Sequence, residues 1–210
     1  MKKPNSSIED LRTQYDERKK AIRSRLSEFE RVPRDEYFYD LVYCLLTPQS
    51  SAVNADKAVR LLKTYDFFNQ PIDPEPLLHQ KDFYIRFHKT KAKHLLRVRE
   101  QFLSIANHLS NGSSSIELRE WLVANVKGLG WKEASHFLRN IGHRDLAILD
   151  RHILRNLLRL GVLRRLPNTL TAKHYKIIEK KFHTFAQQVG IPIDELDLLF
   201  WSMETGEILK

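Results

Sequence analysis

The stretch spanning residues 126–152, VKGLGWKEASHFLRNIGHRDLAILDRH, carries most of the chemistry this chain could perform. Lys132 follows a Gly128-Leu129-Gly130 turn and falls in the first turn of the helix expected after it. The positive end of a helix disfavours an ammonium by about 0.3–1 kcal/mol. An amine that sheds its proton is a nucleophile and forms Schiff bases; burial would favour that neutral form further. Read without context, Lys132 is one of 35 Lys and Arg residues and simply a solvated helix lysine. Eighteen residues on, Asp150 closes the apolar strip Leu146-Ala147-Ile148-Leu149 and opens the next helix. Asp is a favoured N-cap there. One carboxylate oxygen can cap while the other faces a cleft, partly desolvated, where it opposes positive charge developing on a reacting group. Asp145, in a His-Arg-Asp turn, is a nearby carboxylate expected at the surface.

The two glycines one residue apart allow a tight hairpin, because glycine tolerates positive φ. They also leave room for another backbone to approach, and Leu129 can plug the gap between the flanking helices. Amide N–H groups of the hairpin and of the helix start at Trp131 then point outward without helix partners. Such a cluster suits phosphate and distinguishes no base from another. Gly128, Gly130 and Trp131 are therefore candidate contacts to a phosphate backbone.

The elements that must position these residues are helical. Apolar spacing and stop signals predict helices over residues 8–30, 37–46, 52–65, 91–109, 116–126, 131–141, 150–160, 172–189 and 193 to about 203. The three prolines between residues 70 and 76 demand turns. Few period-two alternations appear, so the class is all-α. Hydrophobic residues make up 42% of the chain, enough for a packed core. The 35 basic and 26 acidic residues leave a formal charge of +9, which favours an anionic partner such as nucleic acid. The longest unbroken apolar run, residues 41–46, is far too short to span a membrane, and the N-terminus does not read as a secretory signal. A cytoplasmic protein is expected. The single cysteine, Cys44, excludes an internal disulfide and any cluster held by several cysteines. The histidines form no metal-ligand spacing, so no metal is expected.

Gly-Leu-Gly-Trp-Lys132, followed by Leu-Asp150-Arg-His, resembles the helix-hairpin-helix and aspartate of the endonuclease III superfamily of DNA glycosylases. The C-terminal segment Leu199-Phe-Trp-Ser-Met-Glu-Thr-Gly-Glu-Ile-Leu-Lys210 resembles the archaeal-type (type 2) 8-oxoguanine DNA glycosylases. The resemblance implies two helical subdomains, residues 34–144 as a helical barrel with the hairpin and residues 1–33 plus 145–210 as the second. The active site would lie in the cleft between them. It also implies a bifunctional glycosylase/AP lyase that excises 8-oxoguanine from duplex DNA, with Lys132 as Schiff-base nucleophile and Asp150 as its carboxylate. In Cys44-Leu-Leu-Thr-Pro-Gln-Ser-Ser-Ala, Gln49 matches the side chain that fills the gap left by the flipped nucleotide; otherwise this is a plain Thr-Pro turn.

The same resemblance places Trp201, and Phe87 in the basic segment 86–93, against the base. It assigns the terminal carboxylate of Lys210 to the pairing edge of the lesion. An ionised carboxylate accepts both N1–H and N2–H₂ of a guanine-like base, which supports that assignment physically. Lys89, Lys91 and Lys93 serve equally well as ordinary solvated charges. No cofactor is implied, and the enzyme is expected to act as a monomer. A cluster-free glycosylase for oxidised pyrimidines, or a non-catalytic module in which Lys132 only touches phosphate, would use the same hairpin.

Overall fold

The computed structural model describes residues 8–206 and 208. Among them the α-helices are α1 (Ile8–Glu30), α2 (Tyr37–Leu46), α3 (Ala52–Thr64), α4 (His88–Leu109), α5 (Ser115–Asn125), α6 (Trp131–Asn140), α7 (Arg151–Arg159), α8 (Ala172–Val189) and α9 (Ile193–Thr205). Two short 3-10 turns, Arg34–Glu36 and Pro76–Leu78, precede α2 and α4. The protein is all-α, as the periodicity predicts. The helices segregate into two compact units, one of Val32–Ile141 and one of the described residues up to Arg31 together with the described residues from Gly142 onward.

The Val32–Ile141 unit is built around α2. Its run YFYDLVYCLL is apolar on nearly every side, and Phe38, Leu41, Val42, Cys44, Leu45 and Leu46 are all buried. A helix without a polar face must be surrounded, and α3, α4 and α6 all pack on it. An aromatic cluster of Phe38, Phe67, Phe68 and Phe102 fills one end. Two apolar residues of these helices lie outside: Val53 is 63% and Leu103 75% exposed. Both fall out of phase with the buried rows of their helices, Ala55-Ala58-Val59-Leu62 and Leu95-Val98-Phe102-Ile105.

In the other unit α1 and α7 both pack on α9, and α8 also touches it. The polar helix α1 turns a single stripe inward, Leu11, Tyr15, Ile22, Leu26 and Phe29. Tyr15 Oη donates to Glu195 on α9, whose carboxylate also pairs with Arg23 at 3.1 Å. Gly142 follows α6 with φ +93°, and a Cβ there would lie 3.0 Å from the Glu30 Cα at the end of α1. Only glycine meets both conditions, so the chain can pass that close to α1.

Candidate active site

The hairpin between α5 and α6 is as tight as the glycine spacing predicts. Val126 leaves α5 in an extended conformation, the Leu129 N–H donates to Val126 O at 3.2 Å, and Leu129 is buried. The two glycines do different things. Gly128 takes the left-handed φ of +94°, whereas Gly130 is extended, with φ −91° and ψ 179°. The close approach to Gly128 comes from a side chain rather than a backbone: a Cβ there would sit 2.3 Å from His94 Nδ1 on α4. Burial, with Arg97 and Lys127 adding, lowers the pKa of that imidazole below its usual value. An uncharged ring therefore rests on the turn at neutral pH.

Gly130 is the N-cap of α6 and has no side chain to offer its amides. An external acceptor can take that place. A buried arginine ties the two hairpin helices together. Arg119 of α5 donates to Ser135 Oγ on α6 at 3.2 Å and lays its guanidinium over the Trp131 ring, 5.1 Å from the centroid.

Lys132 is the second residue of α6. Its side chain keeps 28% of its surface exposed, and Nζ pairs with Glu133 Oε1 at 3.1 Å. Burial, which the sequence suggested as the means of freeing the amine, is thus incomplete. A neighbouring carboxylate holds Nζ instead. A carboxylate at this distance can also accept the proton that the amine gives up.

Gln49 and Phe87 belong to the same unit as Lys132. Gln49 is exposed in the turn between α2 and α3, and Phe87 is 51% exposed at the N-cap of α4. Both have left-handed backbones, φ 56° and φ 60°. Such conformations cost bulky residues about 1–3 kcal/mol and concentrate at functional sites. The Arg86 guanidinium stacks on Phe87 at 5.0 Å.

Asp150 and Trp201 share the other unit. The buried strip Leu146–Leu149 has no strand partner among the described residues, and side chains of α8 bond its backbone instead. The Ala147 N–H donates to Glu179 at 3.0 Å, the Leu149 N–H donates to Tyr175 Oη at 3.3 Å, and that hydroxyl donates back to Ala147 O. The strip delivers Asp150 to the N-cap of α7, where Oδ1 accepts the His152 and Ile153 amides at 2.7 and 2.8 Å. Its other oxygen is already partnered: Oδ2 accepts the Trp201 indole N–H at 3.0 Å. The Trp201 ring meets His152 edge-on, with centroids 6.0 Å apart. Asp145 is exposed, as expected. Lys210 lies outside the described residues.

A family model described as 8-oxoguanine DNA glycosylase matches residues 22–191. The chain belongs to the 8-oxoguanine DNA glycosylase family. A member from Fusobacterium nucleatum, named 8-oxoguanine DNA glycosylase/AP lyase, is 40% identical and is matched over 99% of this chain and 100% of its own. The 8-oxoguanine DNA glycosylase of Thermotoga maritima has a crystal structure similar to this one, with TM-score 0.85 and 30% identity over 97% of this chain and 98% of that one. The glycosylase/lyase of Methanocaldococcus jannaschii, solved in complex with a 15mer DNA containing 8-oxoguanine, gives TM-score 0.82 at 33% identity, covering 94% of this chain and 98% of that one. Among the described residues no helix is long and apolar enough to cross a membrane.

For this member of the 8-oxoguanine DNA glycosylase family, sequence reasoning missed three features near the candidate residues: Glu133 beside Lys132, the Trp201 bond to Asp150, and the burial of Lys91. In the basic segment 86–93 the sequence leaves Lys91 equally well an ordinary solvated charge, yet it is only 6% exposed, while Lys89 and Lys93 are exposed. Its position in phase with Leu95 and Val98 was the one available signal.

Proposed function

We propose that this chain excises 8-oxoguanine from duplex DNA and then cuts the strand at the abasic site, with Lys132 as the nucleophile and Asp150 as the assisting carboxylate. The observation that carries this assignment is the place of Lys132. It stands at the second position of α6, directly behind an N-cap with no side chain, in a chain of the 8-oxoguanine DNA glycosylase family.

The basic surface finds duplex DNA through phosphate contacts that weaken as salt rises. Amides at Gly128, Gly130 and Trp131 hold the backbone beside the lesion. Gln49 enters the gap as the nucleotide rotates out, which offsets part of the unstacking cost. Trp201 and Phe87 supply aromatic faces to the extruded base. As the bond between C1′ and the base breaks, the Asp150 carboxylate opposes the positive charge that develops on the sugar. Its bonds to two amides and the indole fix its orientation before substrate arrives.

Lys132 passes its proton to a base, Glu133 being the carboxylate in reach, and its lone pair forms the bond to C1′. The base leaves and takes up a proton. Opening of the sugar ring gives the Schiff base, and loss of a C2′ proton expels the 3′ phosphate by β-elimination. Hydrolysis of the imine then frees the amine.

Borohydride trapping on a duplex containing 8-oxoguanine tests the assignment. The wild-type protein becomes covalently attached to DNA, and Lys132→Gln does not. Trapping that persists in Lys132→Gln removes Lys132 from the role.

A further inference from the structure

Lys91 is charged, buried and absent from the chemistry above. Its Nζ donates to Leu46 O at 2.7 Å, Pro48 O at 2.7 Å and Ser50 Oγ at 3.3 Å. The three donors of an ammonium thus meet three acceptors, all of them in one turn. Leu46 ends α2, so the cation also lies at the negative end of a helix. Between these anchors the chain bends through Gln49 in its left-handed conformation. Ser50 Oγ accepts a second bond, from the Arg86 N–H at 3.0 Å, and the Lys91 amide donates to Phe87 O at 2.9 Å. One buried side chain therefore joins the turn carrying Gln49 to the segment carrying Phe87, two exposed residues whose backbones are strained.

The acceptors are neutral, so the fold takes a charge out of water without returning a counter-ion. Burial and, secondarily, the charge of Lys132 push the Lys91 pKa down to about 8, with Glu133 opposing. An apolar side chain of similar length would fill the same space without that penalty. Holding a strained turn in one geometry is what the ammonium adds.

We propose that Lys91 is a positioning residue that clamps the 46–50 turn to the start of α4, presenting Gln49 and Phe87 as one rigid rim for nucleotide extrusion. The proposal rests on the insertion role assigned to Gln49 above. A clamp of this kind acts when a stacked base must be displaced and matters less at an abasic site, where unstacking is cheap.

The test uses a duplex with 2-aminopurine next to 8-oxoguanine, whose fluorescence rises when its neighbour leaves the stack. In Lys91→Met the fluorescence change shrinks and single-turnover excision falls by about tenfold or more. Strand cleavage at a pre-formed abasic site falls by less than about threefold, because little unstacking is left to drive. Lys91→Arg, which keeps the charge and several donors, restores most of the fluorescence change. If Lys91→Met does not fold, Ser50→Ala carries the test: it removes the shared acceptor and lowers the same signal. Wild-type fluorescence and excision in Lys91→Met, with Gln49→Ala impaired, would overturn the clamp alone. Equal loss of excision and abasic-site cleavage in Lys91→Met, with Lys91→Arg no better, would also overturn it by indicating general damage. Wild-type behaviour of Gln49→Ala would remove the insertion role and the clamp with it.

Discussion

The Trp201 indole N–H donates to Oδ2 of Asp150 at 3.0 Å, while Oδ1 of the same carboxylate caps α7. The carboxylate is thereby oriented by two elements at once, the helix it starts and the helix α9 that carries Trp201. Substitution of Trp201 by Phe keeps an aromatic face and deletes the donor. Single-turnover excision of 8-oxoguanine is expected to fall by about tenfold, with stability changed by no more than about 1 kcal/mol. Excision at the wild-type rate would show that the bond does not guide the carboxylate.

The proposed mechanism gives Asp150 two separable duties, the cap of α7 and the electrostatic one. Asn at this position still caps a helix, so Asp150→Asn keeps nearly all stability, whereas Asp150→Ala costs about 1 kcal/mol through the lost cap. Both variants lose the charge, and excision should drop by about a hundredfold or more while duplex binding persists. Thermal melts and excision assays run side by side would separate the duties; an active Asp150→Asn would end the electrostatic one.

Gly128→Ala meets two obstacles, a φ of +94° and the His94 ring 2.3 Å from the new Cβ. Gly112, with φ +83° and nothing within 4 Å of a Cβ, isolates the first. Gly112→Ala should cost about 1–2 kcal/mol for the left-handed backbone alone. Gly128→Ala should cost more than that and weaken binding of undamaged duplex as well. Equal losses in the two variants would mean that His94 moves aside freely.

Tyr15 provides a pH signature. Burial foremost, then its bond to Glu195 and the charge of that carboxylate, push the phenol up to about 12 from an ordinary 10.0. The folded protein therefore holds this proton more tightly than the unfolded chain does. The contribution is complete below pH 10 and drains away as pH rises towards 12. Denaturant unfolding across that window should show a steeper loss in wild type than in Tyr15→Phe. Parallel curves would contradict the assignment.

Much of this protein was legible from local pattern. Helix positions followed from apolar spacing, as with the almost wholly apolar α2, and helix ends from their neighbours, as with Asp150 before α7 and Pro192 before α9. The start of α4 was placed three residues late, at Lys91 instead of His88, because a left-handed Phe87 is not a recognisable cap. Lys132 and Asp150 stood out only because the glycine turn, the lysine and the aspartate together resemble the helix-hairpin-helix glycosylases; by local setting alone they read as a solvated helix lysine and an N-cap.

What the amino-acid order determined by itself, then, is the set of helices, the glycine turn ahead of Lys132 and the cap at Asp150. These depend on backbone sterics and hydrogen bonds among residues a few positions apart. Only the tertiary structure decided that Lys91 is buried against Leu46 and Pro48, that His94 rests on Gly128, that Glu179 and Tyr175 satisfy the Leu146–Leu149 strip, and that Trp201 holds Asp150. Each of these pairs joins residues 26–51 positions apart. Contacts at that separation form only when whole helices pack, and no local preference of lysine, histidine or tryptophan encodes them.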